Sequence, residues 1–182
     1  MGLLNFINKI RNHFSNKIEL VYIQNRFDEY NKKYFNGELP KIPLKIDNTL
    51  GIVWGRFESV TDIFKQSWEP KQILLNMQYL QEEQVLRNVF VHEMVHYWDC
   101  ITNQPTKEQW EEVNKMQKRF YPIILANAGN KYLRIVFWQS VNQILGLHFE
   151  DDHSPKFKEK CHELNEKFSE LYLSEQVDGP RL

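Results

Sequence analysis

His92-Glu93-Met94-Val95-His96, inside the run VFVHEMVHYWD at 89–99, constrains this chain more than any other feature. Residues i and i+4 of an α-helix project one above the other, so two imidazoles four apart reach one metal ion when the segment is helical. Glu93 is rotated onto the flank, where its carboxylate can bond a metal-held water rather than the metal. Zinc acidifies that water, and the carboxylate takes its proton as the water attacks a polarised carbonyl. A chance match is expected in on the order of one chain in a few hundred of this length. The competing reading is a polar, solvent-facing helix. A catalytic zinc also needs a third protein ligand and one open position, so the rest of the chain must supply a donor.

The surrounding pattern predicts an α+β domain. Apolar residues recur at three- and four-residue steps from Ile18 to Phe35, a helix that Asn36-Gly37 stops, with Gly37 suited to the left-handed position past its end. Extended runs follow at PLKID, GIVWGRF (51–57) and QILLN (72–76), and the looser 58–71 connects the last two. A small antiparallel three-stranded sheet is the expectation. Helical spacing returns from about Gln81 to Cys100, with Leu86, Phe90, Met94 and Tyr97 as its apolar stripe and His92 and His96 beside it. TKEQWEEVNKMQKRFY reads as a helix ending at Pro122, and a second amphipathic helix follows Gly129. A last helix begins with Ser154 as N-cap and Pro155 in its first turn.

Four residues are candidates for the third ligand. His153 sits in a short loop before a capped helix, preceded by Asp151 and Asp152, either of which could orient a ligand imidazole. Read alone, it is a polar loop histidine. His148, between Leu147 and Phe149, suits a half-buried structural role. Glu111 and Glu112 would serve a glutamate-ligand site from the next helix, but that helix is densely charged and its glutamates read as a solvated face.

Five pieces in order, FDEYNKKYFNGELPKIPLKI, LGIVWGRF, ILLN, the HEMVH helix and HSPKFKEKC, resemble the SprT-like zinc metalloproteases. The resemblance implies a zincin-like single domain spanning 1–182, with an HExxH active-site helix. It implies Zn2+ held by His92, His96 and His153, with Glu93 as general base. It also implies peptide-bond hydrolysis in protein substrates, DNA-associated proteins among them. The chain departs from the pattern in placing residues 101–148, a helical insertion, between HExxH and the third histidine.

Composition bounds the rest. At 42% hydrophobic and 14% aromatic over 182 residues, the chain can fill one well-packed core. Its 23 basic and 24 acidic residues nearly cancel, so net charge gives DNA binding no support. Cys100 and Cys161 form no CxxC pair and read as free thiols, which points to a cytoplasmic protein. Residues 1–16 read as an amphipathic helix docked on the domain, with a membrane-surface helix as the alternative, and nothing approaches the length of a membrane span. Tyr97, Trp98, Trp54 and Arg56 read as structural, His13 and His162 as surface residues, and Lys156, Lys158 and Lys160 as a solvated face. A non-enzymatic alternative is a zinc-stabilised scaffold that binds a partner through the insertion.

Overall fold

The computed structural model describes residues 19–147 and 153–174. Its elements are a helix at 19–34 (α1), β1 (Leu44–Ile46), β2 (Gly55–Asp62), β3 (Ser67–Leu75), α2 (Glu83–Thr102), α3 (Lys107–Ala126), α4 (Lys131–Leu145) and α5 (Pro155–Lys167). The class is α+β, as expected. The helix expected at 1–16, together with His13, His148, Asp151 and Asp152, lies outside the described residues. No helix among the described residues is long and apolar enough to cross a membrane.

α1 ends where the sequence stops it, with Asn36 and Gly37 both left-handed at φ 55° and 76°. Buried Asn31 pins the chain beyond that stop: its side chain donates to the Leu39 carbonyl at 2.8 Å and accepts from the Leu39 amide at 3.1 Å. At the other end Tyr22, Tyr30 and Arg26 all donate to Glu83, clamping α1 to the first turn of α2.

The sheet corrects the antiparallel expectation. Strand order is β1-β3-β2, with β1 parallel and β2 antiparallel to β3. The segment between β1 and β2 wraps round the C-terminal end of β3: the Asp47 amide donates to Leu75 and the Asn76 amide to Trp54. Asn76, fully buried, also donates through its side chain to the carbonyls of Gly51 and Val53. β2 therefore emerges on the far side of β3, and β3 lies between the two earlier strands.

Strand limits differ too. β2 begins at Gly55 and runs through part of the expected connection to a hairpin at 63–66. The Asp62 carboxylate accepts from the amides of Phe64 and Lys65, and Gln66 takes φ 53°. This turn carries no Gly or Pro, so its sequence signal is faint. β3 includes Pro70, which lies outside the span paired with β1 and beside the bulge at Glu58/Ser59; a proline is tolerated at such edge positions.

α2 packs on β2 and β3 and against α5. The main core gathers Phe27, Tyr30, Phe90, Met94, Phe157 and Leu164, among others, from α1, α2 and α5. A second, smaller core joins Trp110, Val113, Phe137, Val141 and Leu145 of α3 and α4 to Ile63 at the hairpin tip. α3 begins with a capping box between Thr106 and Gln109 and continues past Pro122 to Ala126, a correction to the expected stop. α5 starts as predicted: the Ser154 hydroxyl accepts from the Phe157 amide at 3.0 Å.

Candidate metal centre

Three imidazoles converge from two elements. α2 presents His92 and His96 one turn apart, and the segment just before α5 presents His153. One ligand atom from each lies within 4.8 Å of the others. Ring centroids are 5.0 Å apart for His92–His96, 5.2 Å for His92–His153 and 4.9 Å for His96–His153. His153 is buried, whereas the α2 pair is half-buried. Among the described residues this is the one group of three or more His, Cys, Asp or Glu placed to hold a metal ion.

The surroundings suit nitrogen donors. Phe157, fully buried, stacks on His153 at 4.0 Å and an interplanar angle of 9°, and lies 4.3 Å from the His96 ring. That apolar floor desolvates the rings and disfavours their charged forms. Burial first, then the neighbouring His153, pushes His92 down to about 3, although a bond to the Ser174 backbone pulls the other way. Burial, then His92 and His153, holds His96 well below its ordinary value. Both are therefore neutral bases near pH 7, the state that ligates metal. A backbone bond that favours the protonated ring is one in which the imidazole N–H donates to the carbonyl, leaving the second nitrogen of His92 for a metal.

His153 is anchored to the helix it faces. Asp99, three residues beyond His96 on α2, accepts from the Ser154 hydroxyl at 2.8 Å, and that hydroxyl caps α5. Ser154 is buried, so α5 and its preceding histidine are tied to α2 out of water. Glu93 is buried at 7% exposure, beneath the start of β2. A Cβ on Gly55 would fall 2.8 Å from Val89 Cγ1 and 2.9 Å from Glu93 Cγ and Oε1, so only glycine lets the strand lie this close to the carboxylate.

The other candidates are elsewhere. Glu111 and Glu112 are exposed on α3, with Glu111 facing Lys107. Tyr97 is buried and donates to the Pro40 carbonyl; Trp54 and Trp98 pack against the main core. Lys156 and Lys158 are exposed, and Lys160 pairs with Glu163. Cys100 and Cys161 are both buried and form no disulfide with each other, and burial pushes the Cys100 thiol up to about 12. Sequence reasoning missed Gly55, Asp99, Phe157 and Ser174 as parts of the site. Only Phe157 left a signal, the Ser-Pro-x-Phe spacing after His153.

Three imidazoles match the nitrogen preference of zinc, and among the described residues they are one fewer than a closed tetrahedral set holds. No curated protein and no solved structure matches the chain. The SprT-like family model matches residues 23–119, which include His92, Glu93 and His96 and end before His153. More than half of the chain lies within that match, and the protein belongs to the SprT-like family, which is associated with zinc metalloprotease-type domains.

Proposed function

We propose that this protein is a zinc-dependent endopeptidase acting on protein substrates. His92, His96 and His153 hold the ion, and Glu93 is the general base. The observation that carries the reading is the approach of His153, from a separate element, to the HExxH pair. A bound zinc supplies Lewis acidity, polarising the scissile carbonyl and lowering the pKa of water. Glu93 takes the proton of the attacking water and delivers it to the leaving amine. Its burial beneath Gly55 restricts where the carboxylate can sit.

The sheet supports an extended protein segment as substrate. β2 is an edge of the described sheet, and its first residue lies over Glu93. A substrate strand added there gains backbone hydrogen bonds whatever its side chains, which gives sequence-tolerant cleavage. DNA-associated proteins as the substrates rest on the family resemblance alone.

The purified protein is expected to carry about one zinc per chain. Glu93→Gln is expected to keep that zinc and to lose cleavage of casein. Cleavage by the variant at the wild-type rate would remove the mechanism. A wild type that holds zinc and cleaves no protein would favour the scaffold reading.

A further inference from the structure

Between positions 114 and 147 the sequence has five basic residues (Lys115, Lys118, Arg119, Lys131 and Arg134) and no acidic one, in a chain of net charge −1. They belong to the outer part of the α3–α4 hairpin. Its inner end is closed by the second core, but none of residues 114–136 is buried. Large apolar side chains nevertheless stand there: Phe120, Ile123 and Leu125 on α3 and Tyr132, Ile135 and Trp138 on α4, each 40–69% exposed. On α4, charge and apolar surface share one face. Lys131, Arg134, Ile135, Trp138 and Gln139 surround a single open recess of about 530 Å³. The Lys131 ammonium lies 5.5 Å over the Tyr132 ring, and the Arg119 guanidinium 5.8 Å from that of Phe120.

Large apolar side chains exposed beside a basic recess mark an interaction site, and the chemistry selects the partner. A second copy of this surface would bring Lys131 and Arg134 against their own like charges. Single-stranded nucleic acid would use the cations and aromatic rings, but it offers nothing to Ile123, Leu125 and Ile135. An anionic bilayer uses all three classes. Basic side chains meet phosphate headgroups, aliphatic ones enter the acyl boundary, and Tyr and Trp sit at the polar–apolar border. We propose that the outer α3–α4 hairpin docks this protein on anionic membrane surfaces.

The sequence of residues 1–18 has the same mix of side chains. They contain three basic residues and no acidic one, with Leu3, Phe6, Ile7, Ile10 and Phe14 at helical spacing. The attraction is local: beyond a Debye length of about 8 Å the acidic remainder of the chain is screened from the contact. The proposal stands independently of the proteolytic reading.

The test is co-sedimentation of the full chain with vesicles of phosphatidylcholine alone and of an equal mixture of phosphatidylcholine and phosphatidylglycerol. Wild type is expected to bind the mixed vesicles and not the neutral ones. Each basic side chain at an anionic surface is worth about fivefold in partitioning, so Lys131→Glu/Arg134→Glu is expected to lose on the order of 30-fold or more. Ile135→Ser/Trp138→Ser is expected to lose binding as well, with the wild-type melting temperature retained because both residues are exposed. Equal sedimentation of wild type and the charge variant would overturn the proposal. So would an absence of vesicle binding, whether wild type instead bound a single-stranded oligonucleotide or formed a dimer that the Ile135/Trp138 variant dissolved.

Discussion

Glu93 owes its place to a missing side chain across from it. Contacts below 3.0 Å force something to move, and the atoms that Gly55→Ala would press on are Val89 Cγ1 and the Glu93 side chain itself. The ligands sit elsewhere, so this variant is expected to keep its zinc while kcat falls by at least about tenfold, the scale on which a misplaced general base costs rate. Gly129→Ala is the control: nothing lies within 4 Å of its Cβ position, and activity should be unchanged. Equal turnover of Gly55→Ala and wild type, with equal metal content, would show that the strand does not position the carboxylate. HExxH announced Glu93 in the sequence because its geometry is set by helical spacing alone. The Gly55–Glu93 approach joins residues far apart in the chain, and no local pattern encodes such a contact.

At the scale of elements, the site depends on how α5 is fastened to α2. Ser154 serves two ends, capping α5 and donating to Asp99. Ser154→Ala removes both bonds, and a lost N-cap alone costs about 0.5–2 kcal/mol. The expectation is a lower melting temperature together with zinc affinity weakened about 10–100-fold, the usual effect of removing a group that orients a ligand. Competition with a chromophoric chelator measures it, and unchanged affinity would show that His153 is held by other contacts. Phe157→Ala is the harsher change, expected to cost about 3–5 kcal/mol by opening a cavity under the rings. The cap, α2 and α5 were legible because capping and amphipathic spacing are local signals. The sheet was not: its parallel pair depends on the 47–54 segment passing round β3, a path fixed by Asn76 and backbone bonds rather than by strand pattern. Pro122 misled for the opposite reason. A proline marks a lost hydrogen bond, and α3 continues through it to the cap at Asn127, whose amide bonds back to Ile123 and Ile124.

Across the whole molecule, the two desolvated imidazoles of α2 make folding sensitive to acid. Burial and neighbouring rings hold His92 at about 3 and His96 well below its ordinary value, and unfolding returns both to about 6.5. Between these limits the unfolded chain binds protons that the folded chain excludes, so stability rises with pH. The histidines therefore cost nothing above about pH 6.5 and become a growing penalty as pH falls toward 3. Exposed carboxylates interfere little above about pH 5; Glu58, held low by its bonds to Lys71 and Gln72, and Asp62, held low by the amide of Lys65, titrate further down. The metal-free protein is accordingly expected to lose melting temperature steadily from about pH 7.5 to about pH 5. His96→Gln should flatten that slope while leaving behaviour above pH 7 nearly level. Differential scanning fluorimetry across this window, with a chelator present, reads both slopes. A wild-type slope no steeper than the variant's would mean that His92 and His96 take up protons in the folded state, and charged imidazoles would not serve as the nitrogen ligands on which metal binding rests.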